Sequence, residues 1–360
     1  MDQDKQVDNK ASVCCPKDDP NEAGGENLEP VAPSKRTWTV FSFVAMWVAA
    51  IVTPSSCITG ASFLSLGSSM GEIAGIMITA SIILLPCLWA NAVPGATYGI
   101  AFPVYCRASF GFTGAVYAAL SRGIVAIGWL SFQLWVGTQA MSNGLSNAIP
   151  ALRNSTLLTP DLTVLQLVVF IVYIALHIIT IYLLGPRQIE RAVRVFSMIQ
   201  ISCVVGLFIW AVATVPLDKL VAFSDNISSA AAEEHGGDLC STYNHSSNFA
   251  TGFRVSKGVT AAISGWSTLS LNIADLSRYA SSHQSHIIGQ AAGFVLPNVL
   301  LPVLGALVTS ASIITYGASA QDWSIVQLFN DWQPAISLVV SLLMGVCLLS
   351  CNLLANVVSP

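Results

Sequence analysis

The sequence predicts an all-α polytopic membrane protein, and three observations support this fold class. First, 54% of the 360 residues are hydrophobic and only 9% are charged, whereas soluble domains carry about 25% charged residues. Second, eight apolar spans are each long enough to supply the roughly 20 helical residues that cross a bilayer core. Third, helix-breaking residues interrupt the first and sixth spans, which is typical of transporters built from inverted repeats.

The apolar spans are joined by short loops, and residues 37–360 are predicted to form one transmembrane domain. The approximate spans are 39–63, 70–93, 114–148, 162–185, 195–216, 258–280, 285–315 and 335–358. The third span is longer than a straight, centred helix needs, so it must tilt or extend into water.

The first 36 residues differ from the rest of the chain. They are polar, are interrupted by Pro and Gly, and hold eight of the 19 acidic residues within their first 29 positions. They contain no apolar core of the kind that a secretory signal requires. Residues 1–36 are therefore predicted to be a disordered cytosolic tail. The net charge of −4 comes largely from this tail and does not indicate nucleic-acid binding.

The charges at the span ends predict the orientation of the chain. With the tail inside, seven Lys and Arg residues face the cytosol and four face outside, as the positive-inside rule requires. The inner set is Lys35, Arg36, Arg107, Arg187, Arg191, Arg194 and Arg278, and the outer set is Arg153, Lys219, Arg254 and Lys257. Glycosylation sequons at Asn154, Asn226 and Asn244 all fall in the two loops predicted to be external. We expect an integral protein of the plasma membrane with a cytosolic N-terminus.

Other function classes find little support in the sequence. The nine cysteines lack metal-ligand spacing, and neither a metal nor a cofactor is expected. The chain has no recognisable nucleophile–base pair or paired acids, so an enzyme is not expected. A channel would show a charged ring or a repeated pore-lining pattern, and neither is visible.

Two interruptions point to a binding site at membrane depth. The first span carries Thr53-Pro54-Ser55-Ser56 at its centre, and the sixth carries the cluster 264–268. Proline removes a backbone donor and clashes with the preceding turn. A broken helix frees backbone groups that can bind a substrate or an ion. The alternative is an ordinary kink that neighbouring helices satisfy, but two breaks five spans apart favour the site.

Four motifs occur in order along the chain and resemble one family. They are residues 95–111, 128–137, 266–279 and 350–360. Together they resemble the nucleobase–cation symporter family 1, and the Asn-Ile-x-Asp-x-Ser-Arg-Tyr pattern of the third motif resembles its uracil, allantoin and hydantoin branch.

The resemblance implies a fold and an activity. The fold would be a five-plus-five inverted-repeat transporter with discontinuous helices 1 and 6, followed by two further helices. The activity would be import of a nucleobase or related planar heterocycle (uracil, allantoin or purine-like), coupled to H⁺ or Na⁺. Because the chain ends with the eighth span, the second repeat is expected to be incomplete here. A truncated, non-transporting paralogue that acts as a membrane partner, or a pseudogene product, remains the alternative. The oligomeric state is not indicated.

The resemblance also implies a substrate site. The matching positions are Thr53, Trp129, Gln133, Gly265, Trp266, Asn352 and Asn356. Trp129 and Gln133 lie four residues apart and share one helical face, as do Asn352 and Asn356. Two indoles would offer apolar faces to a flat ring, and amides would bind its N–H and C=O edge. Taken singly, either tryptophan could instead be a packing or interface residue.

The expected coupling-ion site lies between the first and eighth spans. The resemblance implies as ligands the backbone carbonyls of Ala49, Val52 and Cys347 and the side chains of Ser350 and Cys351. Cys351 stands where sodium-coupled members have a hydroxyl. A thiol is a soft ligand and Na⁺ prefers hard oxygen, which favours H⁺ over Na⁺.

Three ionisable residues inside the spans have competing interpretations. Asp275 is a candidate proton or gating group, or else a structural partner of Arg278 three residues later. Arg122 is expected to snorkel or to pair internally. His177 is expected to be a hydrogen-bonded core histidine rather than a proton relay.

Overall fold

The computed structural model describes residues 28–152, 157–159, 162–183, 186–226, 247–317, 325–326, 328 and 332–358. The helices in these ranges are α1 Val40–Ile51, α2 Pro54–Ser65, α3 Met70–Tyr98, α4 Phe102–Ala148, α5 Val164–Leu183, α6 Pro186–Thr214, α7 217–226, α8 Ser247–Leu271, α9 Ala274–Ser277, α10 His283–Tyr316 and α11 Pro334–Asn352. A π-helical segment, Leu353–Val358, continues α11. Short 3₁₀ turns lie at Pro33–Lys35 and Pro150–Leu152. The strands β1 Leu157–Thr159 and β2 Leu162–Thr163 pair antiparallel.

Most of the predicted spans are helices that can cross a membrane. By length and composition, α3, α4, α5, α6, α10 and α11 each qualify, and the α1–α2 pair, bent by 56°, makes a seventh span. The sixth predicted span, 258–280, is also helical but is divided between α8 and α9. Large apolar side chains such as Ile82, Ile124 and Ile178 are exposed on the outer surface, as expected of helices that face lipid.

The first span breaks where the sequence predicts. Thr53 is extended (φ −132°, ψ 158°), and Pro54 occupies the first turn of α2, where a missing backbone donor is harmless. The Ile51 carbonyl, which loses its helical partner at the break, accepts from the Thr53 amide at 2.7 Å and from the Ser56 hydroxyl at 2.5 Å. The polar residues around the proline therefore satisfy the backbone that the break exposes.

The sixth span breaks later than predicted. Helix α8 runs unbroken through the cluster 264–268, and the interruption lies at Asn272 and Ile273, before the single turn of α9. The Ser264 hydroxyl donates to the Ala261 carbonyl of the preceding turn at 2.7 Å. The helix therefore continues through Ser264, although this serine suggested a break. At the observed break, the Leu271 carbonyl accepts from the Tyr105 hydroxyl at 3.4 Å.

The long third span also contains a break. The backbone leaves helical geometry at Gly111 (φ 67°, ψ 179°), which separates the beginning of α4 from its membrane-crossing part. A positive φ is accessible to glycine at little cost. The helix thus begins in the predicted loop between the second and third spans.

Helix α10 lies at the centre of the packing, against α1, α2 and α3, while α11 packs on α4 and α3 packs on α8. Two glycines permit the closest approach. A side chain at Gly60 would meet the backbone of Pro302, and one at Gly305 would meet the backbone of Cys57. Small residues that let two helices approach closely are typical of membrane packing. This contact holds α2, and hence the break, against α10.

The last residues of the predicted tail carry contacts within the described part of the chain. Arg36 donates to the carbonyl of Val31 at 3.0 Å and to that of Thr97, near the end of α3, at 3.2 Å. The Trp38 amide bonds to the Tyr279 carbonyl at 2.9 Å. Arg36, the last residue of the predicted tail, therefore contacts the end of α3. Residues 1–27 of the predicted tail lie outside the described residues.

Candidate functional site

A cavity of about 100 Å³ lies beside the break of the first span. Helices α1, α2, α4, α8 and α11 and the π-helical segment after α11 contribute its walls. The lining residues are Ala50, Thr53, Ser55, Ser56, Thr59, Arg122, Trp129, Gln133, Gly265, Trp266, Thr268, Leu269, Cys351, Ala355 and Asn356. Six of the seven predicted substrate-site residues meet here.

The cavity has two indole walls. Trp129 projects from α4 and Trp266 from α8, and both are partly buried. Trp266 packs edge-on against Trp47, with ring centroids 5.8 Å apart, and against Phe294 at 6.4 Å. These aromatic contacts hold the ring of Trp266 in place. A Cβ atom added at Gly265 would meet no other atom within 4 Å, so no side chain crowds this wall of the cavity.

Gln133 supplies an unpaired acceptor. Its side chain is 7% exposed, and Nε2 donates to the Cys351 sulfur at 3.2 Å. Within the described part of the chain, its buried Oε1 atom has no hydrogen-bond partner, and neither has the buried hydroxyl of Ser55 in the first turn of α2. A buried polar atom without a partner is costly, and each of these residues lines the cavity. A ligand that bears N–H groups can supply the missing hydrogen bonds.

Asn356 is held by a chain of hydrogen bonds. Its Nδ2 donates to Asn352 Oδ1 at 2.9 Å, and Asn352 Nδ2 lies 3.3 Å from His177 Nε2. His177 Nδ1 lies 2.9 Å from the Tyr173 carbonyl. Because a carbonyl only accepts, Nδ1 carries the proton and Nε2 accepts from Asn352. His177 is thus the hydrogen-bonded core histidine that the sequence predicts.

Asn352 stands behind the cavity wall rather than in it. The residue is fully buried and does not line the cavity. Asn352 therefore contacts the Asn356 amide, and not the cavity itself. The reason is helical geometry, because Asn352 lies beside α5, where His177 is its partner.

Arg122 pairs internally, as one of its two predicted interpretations requires. Its Nε donates to Asn272 Oδ1 at 2.9 Å and its Nη2 to the Ala355 carbonyl at 2.7 Å. The guanidinium thereby joins α4 to the break after α8 and to the π-helical segment after α11. This arrangement holds three elements of the cavity together.

Three of the five expected coupling-ion ligands, Ala49, Cys347 and Cys351, accept hydrogen bonds from protein side chains. Gln200 of α6 is 1% exposed, and its Nε2 donates to the Ala49 carbonyl at 3.0 Å and to the Cys347 carbonyl at 3.2 Å. Val52 is buried at the end of α1, and the buried hydroxyl of Ser350 has no partner among the described residues. Cys351 lines the ligand cavity and contacts Gln133.

Asp275 is engaged at the start of α4. Its Oδ1 accepts from the Phe102 amide at 2.7 Å, so the carboxylate caps a helix N-terminus from another element. Arg278 donates through Nε to the backbone carbonyl of Asp275 at 3.2 Å. These contacts favour a structural role for Asp275.

The predicted glycosylation sites are only partly visible. Asn226 is exposed at the end of α7. Asn154 and Asn244 lie outside the described residues. Within the ranges that the structure describes, no group of three or more His, Cys, Asp or Glu side chains could hold a metal ion.

Several residues at or beside the cavity were not assigned to the site from the sequence, and Gln200 and Ser55 are two of them. Gln200 carries no motif, and only a search for polar residues on the inner face of the fifth span could have found it. Ser55 was recognised as part of the break but not as a lining residue.

The chain matches known transporters along most of its length. Residues 30–360 match the family described as "Permease for cytosine/purines, uracil, thiamine, allantoin". The allantoin permease of Bacillus subtilis is 29% identical over 349 residues, which cover 94% of this chain and 66% of that protein. The purine-uracil permease of Arabidopsis thaliana is 29% identical over 345 residues, covering 93% of this chain and 53% of the relative. The chain thus spans between about half and two thirds of the length of these relatives.

Solved structures support the same fold. The chain superposes on Mhp1, a nucleobase-cation-symport-1 family transporter, in a closed conformation with bromovinylhydantoin bound, with a TM-score of 0.64 at 16% identity. That match covers 93% of this chain and 68% of Mhp1. The inward-facing conformation of Mhp1 gives a TM-score of 0.66 at 18% identity, covering 93% and 66%. This all-helical membrane protein belongs to the nucleobase–cation symporter family 1, the family of permeases for cytosine and purines, uracil, thiamine and allantoin.

Proposed function

We propose that the protein is a secondary active transporter that imports a nucleobase or a related planar heterocycle, such as uracil, allantoin or a purine. The observation that carries this proposal is the cavity itself. Two indoles, Trp129 and Trp266, line it together with the amides of Gln133 and Asn356. A flat ring can lie against the indoles while its N–H and C=O groups bond to the amides.

The unpaired Gln133 Oε1 favours a ligand with a ring N–H. Buried acceptors without partners are rare, and this one lines the cavity. Uracil, allantoin and hydantoins all carry N–H groups beside carbonyls, so they can donate to Gln133 and accept elsewhere. Allantoin and uracil, which appear in the names of two relatives, have this chemistry.

Coupling to H⁺ rather than Na⁺ is the second part of the proposal. The amide of Gln200 donates to two of the carbonyls that a coupling cation would require. Cys351 adds a thiol where Na⁺ would prefer oxygen. The sequence further favours the plasma membrane and a cytosolic N-terminus.

Uptake of labelled uracil and allantoin tests the proposal. The chain would be expressed in cells that lack their own nucleobase uptake, with Trp266→Ala as the site variant and Trp210→Ala as the control. Trp210 packs on Trp332, away from the cavity. We expect saturable uptake that Trp266→Ala abolishes and Trp210→Ala preserves. Absence of saturable uptake, or uptake that survives Trp266→Ala, would contradict the proposal.

A further inference from the structure

Arg122 has one buried nitrogen for which no acceptor lies in the described part of the chain. The side chain is 4% exposed, at membrane depth in α4, and the residue lines the cavity. Its Nε and Nη2 atoms bond to Asn272 and Ala355, but Nη1 is buried without a hydrogen-bond partner among the residues that the structure describes. Arginine offers five N–H donors in a rigid, planar arrangement, so the donors on Nη1 are left for an acceptor from outside these residues.

The charge of Arg122 is only partly balanced. Both of its hydrogen-bond acceptors are uncharged, namely the Asn272 amide oxygen and the Ala355 carbonyl. The Asp275 carboxylate acts on it electrostatically, but Oδ1 of that carboxylate accepts from the Phe102 amide. Burying an uncompensated charge in a membrane span is expensive. Such a residue is a functional candidate when it faces a water-filled or ligand-filled cavity.

The position of Arg122 places this donor near the ring-binding residues. Arg122 precedes Trp129 by seven residues, which is two helical turns on the same face of α4. Its Nη2 partner, Ala355, is the immediate neighbour of Asn356. The bonds to Asn272 and Ala355 hold the guanidinium in place, so Nη1 is preorganised for an acceptor.

We propose that Arg122 is a ligand-binding and specificity-determining residue, which donates through Nη1 to an oxygen atom of the ligand. The inference rests on the proposed function and narrows its substrate class. The ligand carries a carbonyl or anionic oxygen, and it is neutral or negatively charged. A cationic heterocycle is disfavoured because it would meet a fixed positive charge at low dielectric. The protein therefore selects uracil-like or allantoin-like rings over a cation such as thiamine.

Equilibrium binding to the purified chain in detergent tests this inference, with uracil and thiamine as probes. Arg122→Gln removes the positive charge, and Arg122→Lys keeps the charge but replaces the planar guanidinium donors with a single ammonium group. Arg107→Gln is the control, because Arg107 is exposed near the start of the same helix and packs on Phe112. We expect Arg122→Gln to weaken uracil binding about tenfold or more, as for a lost charged hydrogen bond, and to narrow the preference for uracil over thiamine. Arg122→Lys should keep that preference, and Arg107→Gln should change neither quantity.

A measurement on the unsubstituted protein covers the case in which Arg122→Gln does not fold. Sulfur accepts hydrogen bonds weakly, so 2-thiouracil or 4-thiouracil should bind about tenfold more weakly than uracil. Equal affinity for uracil and both thio-analogues would overturn the inference. So would an Arg122→Gln variant that folds and keeps both the uracil affinity and the preference over thiamine.

The binding results that would overturn the proposed function differ from those that would overturn the role of Arg122 alone. In that case the unsubstituted chain would bind none of these probes, or would bind them equally well after Trp129→Ala. Either result would overturn both the proposed function and the role of Arg122. Binding of uracil that depends on Trp129 but not on Arg122 would overturn the inference alone.

Discussion

The side-chain amide of Gln200 donates a hydrogen bond of 3.0 Å to the backbone carbonyl of Ala49. The same nitrogen lies 3.2 Å from the Cys347 carbonyl, so one neutral amide bridges α1 and α11. The family resemblance implies that both carbonyls would bind a coupling cation. An amide nitrogen that donates to two carbonyls gives each of them a hydrogen bond, but it brings no net charge.

This bridge predicts that the protein does not depend on sodium. Replacing Na⁺ by K⁺ in the uptake assay should change the apparent affinity for uracil by less than about twofold, since Gln200 already satisfies the carbonyls. Collapsing the proton gradient with a protonophore should abolish accumulation. An apparent affinity about tenfold higher in Na⁺ than in K⁺ would contradict this assignment.

The hydrogen-bond chain behind Asn356 predicts that Asn352 acts at a distance. Asn352→Ala removes the acceptor that fixes the Asn356 amide and should weaken uracil binding by about fivefold, corresponding to about 1 kcal/mol for one hydrogen bond. The matched control is Asn298→Ala, because Asn298 is a buried amide that donates to Ser81 Oγ at 3.0 Å, away from the cavity. Both variants should lower the melting temperature, but only Asn352→Ala should lower the affinity. Unchanged affinity in Asn352→Ala would show that the chain does not orient Asn356.

Asp275 either stabilises the start of α4 or carries the coupling proton, and two substitutions distinguish these roles. The bond from the Phe102 amide predicts that Asp275→Ala destabilises the start of α4 by about 1 kcal/mol, as the loss of an N-terminal cap does. Asp275→Asn keeps an acceptor and should retain most of the melting temperature and the pH profile of uptake. If Asp275→Asn folds but its uptake no longer responds to pH, Asp275 carries the proton and the structural assignment is wrong.

The contact between α2 and α10 predicts a difference between two glycines. Gly305→Ala would drive a methyl group into the backbone of Cys57 and should destabilise the protein by about 1–3 kcal/mol, as overpacking does. Gly75→Ala is the control, since Gly75 is a helical residue with nothing within 4 Å of the added methyl position. That variant should leave the melting temperature unchanged or raise it slightly. Equal melting temperatures for the two variants would contradict the close approach of these helices.

Much of the fold could be predicted because it depends on local chemistry. Pro54 marks the first break in the structure as it does in the sequence, since proline acts on its own turn. The second break could not be located in this way. Ser264 and Gly265 weaken a helix only slightly, whereas the break at Asn272 is fixed by side chains from α4 that lie far away in sequence.

The candidate site also has features that follow from local sequence and features that depend on contacts distant in sequence. Trp129 and Gln133 share a face of α4, so their meeting in one cavity follows from helical spacing. The bridge from Gln200 and the free donor of Arg122 depend on how three or more helices pack together. No periodicity within one span records such contacts, which are visible only in the folded molecule.

The two indole walls predict that a planar heterocycle binds between Trp129 and Trp266. Calorimetric titration of uracil and allantoin into the purified chain tests this binding, with Trp129→Ala and Trp266→Ala compared with Trp210→Ala. We expect at least one of the two ligands to bind to the unsubstituted chain and to Trp210→Ala. Each cavity variant should weaken that binding by about tenfold or more, as the loss of one aromatic wall should. Unchanged affinity in both Trp129→Ala and Trp266→Ala would contradict binding between these rings.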